Sequence, residues 1–258
     1  MLTYKNTFAS PTETEKERVI SSCEVTIILP MYNEADRIEH CVREVKAALD
    51  RFAHSYEITI AEDGSTDGTE EIAARLAVED KRVIHLHSDQ RIGKGAALKR
   101  AIHHASGEVI VFVDADLPIS LDTLPVLLKL TKKSQGMTIG SRAIQGAVTK
   151  RPIMRSVLSK FYNLFVRALF QDGVYDHQCG YKAFSKTMLV DIIDKVDDNS
   201  WFFDTELIVR AKKAGYPIIE MPLTYMETRN KGEYKINILH ASKQMGLALL
   251  KLWRSIQI

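Results

Sequence analysis

Short apolar runs alternate along the chain with segments in which apolar positions recur every third or fourth residue, and in the first half this alternation is regular. Val25 to Leu29 predicts a buried strand that Pro30 stops, followed by a helix whose stripe is Ile38, Cys41, Val42, Val45, Leu49 and Phe52. Tyr56 to Ala61 predicts a second strand. A turn rich in Asp, Gly, Ser and Thr leads from it into a helix carrying Ile72, Ala73, Leu76 and Ala77. The third unit joins a strand, Val83 to Leu86, through Gly93 and Gly95 to a helix near Ala96 to Ala105, which Gly107 closes. Val109 to Val113 is an unbroken apolar run, mostly β-branched, and predicts a central strand covered on both faces. Beyond it the spacing predicts a helix near Leu121 to Leu130, a strand from Met137 to Gly140, a basic segment and elements of mixed type.

Strands alternating with helices imply an α/β fold on a mostly parallel sheet, with one compact domain. Its front half suits nucleotide binding and its back half substrate binding. Composition narrows this picture. With 258 residues and a formal charge of +2, no global field argues for nucleic acid, and any anion site must come from local clusters. Cys23, Cys41 and Cys179 are scattered and lack metal spacing, which fits free thiols in a reducing compartment. Residues 1–22 are polar and read as a loose tail. Nowhere is there a run near the roughly 20 apolar residues that span a bilayer.

The candidate chemistry gathers at strand ends. Asp114 and Asp116 leave the central strand together, where ligands of open α/β sheets bind, and two carboxylates there suit Mg²⁺ or Mn²⁺ held against phosphates; the other reading is a turn before Pro118. Pro30-Met31-Tyr32-Asn33-Glu34 offers a ring for a base and a carboxylate for a ribose or base N–H, or else Asn33 and Glu34 serve as helix cap and first-turn acid. In Glu62 to Thr69, Asp63 can accept from a base N–H, while Asp67 or Thr69 caps the next helix. Lys94, between Gly93 and Gly95, can meet a phosphate that the glycines let approach.

Together with Asp176 to Phe184 and Trp201 to Leu207, these motifs resemble the family 2 glycosyltransferases of GT-A fold, over about residues 24–250, and among them the polyprenyl-phosphate hexosyltransferases. The back-half motifs look more like those of dolichyl-phosphate β-glucosyltransferases than of dolichol-phosphate mannose synthases. The resemblance implies a Rossmann-like, mostly parallel sheet flanked by helices, with amphipathic helices at a membrane interface. It implies a donor site formed by Pro30, Tyr32, Glu34, Asp63, Lys94, Asp114, Ala115, Asp116 and Arg142, with Asp114 and Asp116 on the metal and Arg155, Ser159 and Arg229 on the lipid phosphate. The mannose synthase pattern has a metal-binding Gln where this chain has Pro118, so a third protein ligand is missing there.

The basic positions Lys150, Arg151 and Lys160, and Lys231 and Lys235 near the end, read either as further phosphate clamps or as solvated surface. The helix expected at Met154 to Phe170 carries Val157, Leu158, Phe161, Leu164, Phe165, Ala168 and Leu169 opposite Lys160, Asn163 and Arg167. In the stretch Ile238 to Ile256, Leu239, Met245, Leu249, Leu250, Leu252 and Trp253 oppose Lys243, Lys251 and Arg254. Both patterns suit a membrane surface or packing on the domain. The organisation expected is a tail at 1–22, a catalytic domain at 23–236 and an amphipathic helix at 237–258. The activity expected is inverting transfer of a hexose from UDP-glucose or GDP-mannose to a polyprenyl phosphate, on the cytoplasmic face of a membrane, with Asp116, Arg142 and Asp204 as catalytic candidates. Two rivals stand beside it: a glycosyltransferase acting on a glycan or glycolipid hydroxyl with Asp204 as base, and a non-catalytic nucleotide-sugar-binding module.

Overall fold

A computed structural model describes residues 23–228 and 238–256. The first strand, β1 (Val25–Met31), is followed by α1 (Ile38–Leu49), β2 (Tyr56–Glu62), α2 (Thr69–Glu79), β3 (Val83–Leu86), α3 (Lys94–His104) and β4 (Val109–Phe112). A 3₁₀ turn at Leu121–Thr123 then leads into α4 (Leu124–Ser134) and β5 (Met137–Ser141). The back half continues through β6 (Val148–Lys150), α5 (Ile153–Phe170), β7 (Lys182–Ser185), α6 (Lys186–Ile192), α7 (Phe203–Lys213), β8 (Ile218–Pro222), β9 (Thr224–Met226) and α8 (Ile238–Ile256).

Seven strands form one sheet in the order β3-β2-β1-β4-β7-β5-β8. All run the same way except β7, which is antiparallel to both neighbours. The fold is therefore α/β on a mostly parallel sheet, as the alternation of elements predicts. The sequence pattern shows no β7: three of its four residues lie inside the 176–184 motif, and a strand that short has no periodicity of its own. The order in which strands are added reverses between β1 and β4, which are parallel, since the chain winds outward from β1 to β3 and returns on the other side. That switch point opens a crevice at the carboxyl edge.

Pro30 lies within β1 rather than ending it. The carbonyl of Ile28 accepts from Val113 on the β4 side, and Pro30, two residues on, faces the same side beyond the last β1–β4 pair, Ile28↔Phe112. Its missing N–H therefore costs no ladder bond. The helix expected from Leu121 starts at Leu124, with Pro125 in its first turn, and runs to Ser134. Cys23, Cys41 and Cys179 form no disulfide.

One core spans the sheet and a second, smaller one joins α5, α7 and α8 through Val166, Phe170, Val209, Leu249 and Leu252, with Phe202. Of the two placements open for the apolar residues of α5, packing on the domain or facing outward, most take the second. Its buried residues are Asn163, Val166 and Phe170, while Val157, Leu158, Phe161, Leu164 and Phe165, with Ile153 and Met154, are exposed. In α8, Leu249 and Leu252 face inward, and Leu247, Leu250 and Trp253 face out. Among the described residues no helix is long and apolar enough to cross a membrane. The expected tail at 1–22 and Arg229, Lys231 and Lys235 lie outside the described residues, as do the side chains of Leu239 and Lys243.

This arrangement separates two kinds of apolar residue. Ile28→Ala, at a wholly buried position, should cost about 2–5 kcal/mol in urea unfolding. Phe161→Ser, at a position 68% exposed, should stay within about 0.5 kcal/mol of the parent; equal losses would mean that α5 is not oriented as described.

Candidate active site

The crevice at the carboxyl edge holds a cavity of about 290 Å³. Because β1, β2 and β4 are parallel, the loops that follow them meet there, and Pro30, Tyr32, Glu34, Asp63, Lys94, Asp114, Ala115, Asp116, Arg142 and Arg155 all line it. Ser159 and Asp204 do not, and Arg229 lies outside the described residues. Arg91, Gln178, Gly180, Trp201, Tyr225 and Glu227 also line the cavity without having been singled out. Gln178, Gly180 and Trp201 belong to the back-half motifs. Tyr225 and Glu227 carry no sequence signal, because they arrive only through the pairing of β9 with β6 and the hydrogen bond from Met226 N–H to the Pro118 carbonyl. That carbonyl is thereby used in bracing the loop after Asp116.

The first two loops are stitched together. Asn33, at φ 53°, accepts from Thr66 N–H through Oδ1 at 2.8 Å and donates its own N–H to Ser65 Oγ, and Glu34 N–H donates to Thr69 Oγ1. Neither caps α1, which begins beyond Arg37. Gly68 stands at the α2 N-cap position in the left-handed region, while Asp67 accepts from the Thr69 N–H and hydroxyl. Tyr32 lines the cavity with the Arg91 guanidinium over its ring, 4.0 Å from the centroid.

Asp63 is nearly fully buried and accepts from the N–H groups of Ile92 and Gly93 at 2.7 and 3.1 Å. Burial outweighs those bonds and raises its pKa above the ordinary carboxylate value. The side chain thus shapes the β3–α3 turn as well as facing the cavity. The glycines of that turn approach protein rather than ligand. A Cβ on Gly93, at φ 99°, would fall 2.3 Å from the Asn199 carbonyl, and one on Gly95 would fall 2.8 Å from Phe203. They let α3 pack against the segment before α7.

Lys94, the first residue of α3, reaches Asp114 at 3.0 Å beside the Trp201 ring. Burial alone would discharge both groups; their mutual attraction outweighs it, holding the lysine pKa above and the carboxylate pKa below their ordinary values. The Asp114 carboxylate lies against the backbone of Gly180, where a Cβ would fall 1.7 Å from Oδ2. Leu117, at φ 41°, turns the chain after Asp116, and the Thr228 hydroxyl donates to the Asp116 carbonyl. Asp114 and Asp116 thus present two hard oxygen donors on one wall, a set that fits a divalent cation.

Arg142 forms a two-pronged pair with buried Asp176, Nε to Oδ2 at 2.7 Å and Nη2 to Oδ1 at 2.8 Å, and stands over the Tyr225 ring. Burial would raise the Asp176 pKa, but Arg142 keeps it below the usual carboxylate range. Arg155 approaches Glu227 at 3.4 Å. Asp204 sits behind the wall as counter-ion of fully buried Lys182, 2.7 Å away, while Lys182 also donates to the Cys179 carbonyl. Ser159, one helical turn after Arg155, accepts from Asn163 Nδ2 at 3.3 Å. The arrangement is a set of cations, each beside a carboxylate, around a space with an aromatic floor, and it can take up a phosphorylated ligand by exchange of partners.

Residues 26–193 match the model of glycosyl transferase family 2. Glycosyltransferase AglD of Haloferax volcanii is 41% identical over 233 residues, which cover 89% of this chain and 37% of that relative's length. Dolichyl-phosphate beta-glucosyltransferase ALG5C of Trichomonas vaginalis is 31% identical, over 90% of this chain and 74% of its own. Among solved structures, the mannosyltransferase PcManGT of Pyrobaculum calidifontis, in complex with GDP-Man and Mn²⁺, superposes with a TM-score of 0.62 at 26% identity, over 92% of this chain and 65% of that one.

The Arg142–Asp176 pair should be visible in acid. Because the folded pKa of Asp176 is depressed, the pair stabilises the fold above the unfolded value of about 3.9 and is lost as pH falls through the folded one. Asp176→Ala, which leaves Arg142 buried without its partner, should cost about 3–5 kcal/mol at pH 7. Against the parent, Asp176→Asn should flatten the fall in stability below about pH 4; an unchanged acid limb in urea titrations would rule out the pair as its source.

Proposed function

The chain belongs to glycosyl transferase family 2, and from that membership we propose that it moves a hexose from UDP-glucose or GDP-mannose to a polyprenyl phosphate, such as dolichyl phosphate, at a membrane surface. One observation carries the reading: Arg155, in the first turn of α5, lines the cavity, and the same helix turns an exposed apolar face outward from it. A water-soluble polyanion and a lipid can then meet at the foot of one helix. The relative named for dolichyl-phosphate glucosyl transfer supports the acceptor and makes UDP-glucose the first donor to test.

In this proposal the base lies at Tyr32, Glu34 and Asp63, and the diphosphate lies toward Lys94 and Arg142. Asp114 and Asp116 would hold Mg²⁺ or Mn²⁺, supported by the Mn²⁺ in the related mannosyltransferase complex. Such an ion, when bound, neutralises charge on a leaving diphosphate. Lys94 and Arg142 supply further positive charge already fixed in place, so little reorganisation accompanies bond cleavage. Arg155, with Ser159 and Arg229 following it, receives the acceptor phosphate. That phosphate is largely ionised near neutral pH, its second pKa being about 6, so no protein base is required. In-line attack inverts the anomeric carbon, giving a β-linked product from an α-linked donor.

The rival with Asp204 as base on a sugar hydroxyl loses support, because that carboxylate is engaged by Lys182 off the cavity wall. Asp204 is better assigned to holding Lys182, and through the Cys179 carbonyl the turn before β7. The reading of a non-catalytic module is set aside by family membership and the intact acidic pair. The three unpaired thiols support placing the protein peripherally on the cytoplasmic face.

A panel of nucleotide sugars assayed with a short polyprenyl phosphate tests the whole reading. Transfer should occur with one hexose donor and require a divalent cation, and Asp116→Asn should lose about a hundredfold or more with its circular dichroism unchanged. Full activity in that variant would remove Asp116 from the site, and transfer only to glycan hydroxyls would replace the acceptor. Membrane association is read separately by flotation. The full chain should float with anionic vesicles, less so as salt rises, and the double change Phe161→Ser, Phe165→Ser should leave it in the pellet fraction. If the parent chain stays down even with polyprenyl phosphate in the bilayer, the exposed face of α5 belongs to a protein contact.

A further inference from the structure

Away from the cavity, the ends of β2 and β3 assemble a different donor set. The ladder pairs Ile60 with His85. Side chains two apart on a strand share a face, so Glu62, two past Ile60, and His87, two past His85, fall on the face that carries His85. The three side chains bring one ligand atom each to within 4.8 Å of one another. Asp63, the next residue, points the other way and lines the cavity, whereas Glu62 does not.

A hydrogen bond accounts for part of this cluster. His87 Nδ1 lies 2.7 Å from Glu62 Oε2, and the Ser65 N–H donates to Oε1 of the same carboxylate. It leaves His85 unexplained, since its Nε2 is buried with no hydrogen-bond partner. Such an atom is costly to bury, yet here it stands beside a second imidazole and a carboxylate. More negative charge surrounds the group: Asp89 and Glu70 lie 3.3 and 3.6 Å from His87 Nε2. Arg100, anchored on the His87 carbonyl and Ser88 Oγ, adds one positive charge against these three carboxylates.

We propose that Glu62, His85 and His87 form a transition-metal site, separate from Asp114 and Asp116, that takes Zn²⁺ or a similar borderline ion in preference to Mg²⁺. Two imidazoles and one carboxylate suit Zn²⁺, Co²⁺ or Ni²⁺, whereas the all-oxygen pair in the cavity suits Mg²⁺ or Mn²⁺. Water, or Glu70 after a small movement, completes four-coordination. The ion ties β2 to β3 immediately before Asp63, and so braces the residue that holds the Ile92 and Gly93 N–H groups at the Tyr32 end of the cavity.

The test uses the full chain freed of metal by chelation, titrated with Zn²⁺ by calorimetry and with Co²⁺ by visible absorption. One site should bind with the intense bands of tetrahedral Co²⁺, persist in excess Mg²⁺, persist in Asp116→Asn, and raise the melting temperature. His85→Gln and His87→Gln should each weaken binding by more than about a hundredfold, since even outer-shell partners of ligands are worth about ten- to a hundredfold. His87 is partly exposed, so its variant serves even where the His85 one is poorly folded. No Zn²⁺ uptake by the parent chain would overturn the proposal, as would uptake that survives both histidine changes or disappears in Asp116→Asn.

Discussion

The contact on which the rest of the site depends is the one between the Asp114 carboxylate and the backbone of Gly180, too close for any side chain at that position. It joins the end of β4, the last strand of the regular βα series, to the turn that enters antiparallel β7. Through it the two halves of the chain share one wall. From Gly180 the turn is held by Lys182, which is fixed by Asp204, and on its other side by Asp176, which Arg142 grips with two bonds. The cavity is thus built less by its lining than by ion pairs one layer behind it.

Electrostatics sets a second constraint. Lys94, Arg142 and Arg155 each meet a carboxylate before any ligand arrives. Buried charges without partners would cost several kcal/mol each, so a site that concentrates cations needs internal anions to fold. The pairs differ in how fixed they are. Arg142 is held by two short bonds to a buried partner. The Arg155–Glu227 contact is longer, at 3.4 Å, and part-buried. The two short bonds therefore make Arg142 part of the fixed frame of the cavity.

Much of this was legible in the sequence, for identifiable reasons. The strands β1 to β4 are apolar runs between periodic segments, and parallel topology then forces their acidic ends together, so Tyr32, Asp63, Asp114 and Asp116 could be placed without coordinates. What escaped was non-local. Four-residue β7 has no period, and Tyr225 and Glu227 reach the cavity only by pairing with a distant strand. Pro30 looked like a terminator because its neighbours, not its own identity, decide whether an N–H is needed. The glycines beside Lys94 looked like a phosphate cradle because a sequence cannot distinguish backbone approaching a ligand from backbone approaching Asn199.

Helix α5 shows why hydrophobic periodicity alone left open which face packs inward. Asn163, on its polar side, is buried because its Oδ1 accepts from the His177 backbone N–H and contacts the ring Nδ1 at 2.9 Å, while the far ring nitrogen meets Asp172 at 2.8 Å. That network holds the segment carrying Asp176, Gln178 and Gly180. Rotating the helix to bury Phe161, Leu164 and Phe165 would gain apolar burial at about 25 cal/mol per Å² but would withdraw Asn163 from the loop that shapes the site. That network therefore fixes the polar face inward and leaves the apolar face outward. A row of large apolar side chains is thereby left exposed beside Arg155, and under the proposed function a bilayer carrying a lipid phosphate is the cover that would also bring a phosphate to that arginine.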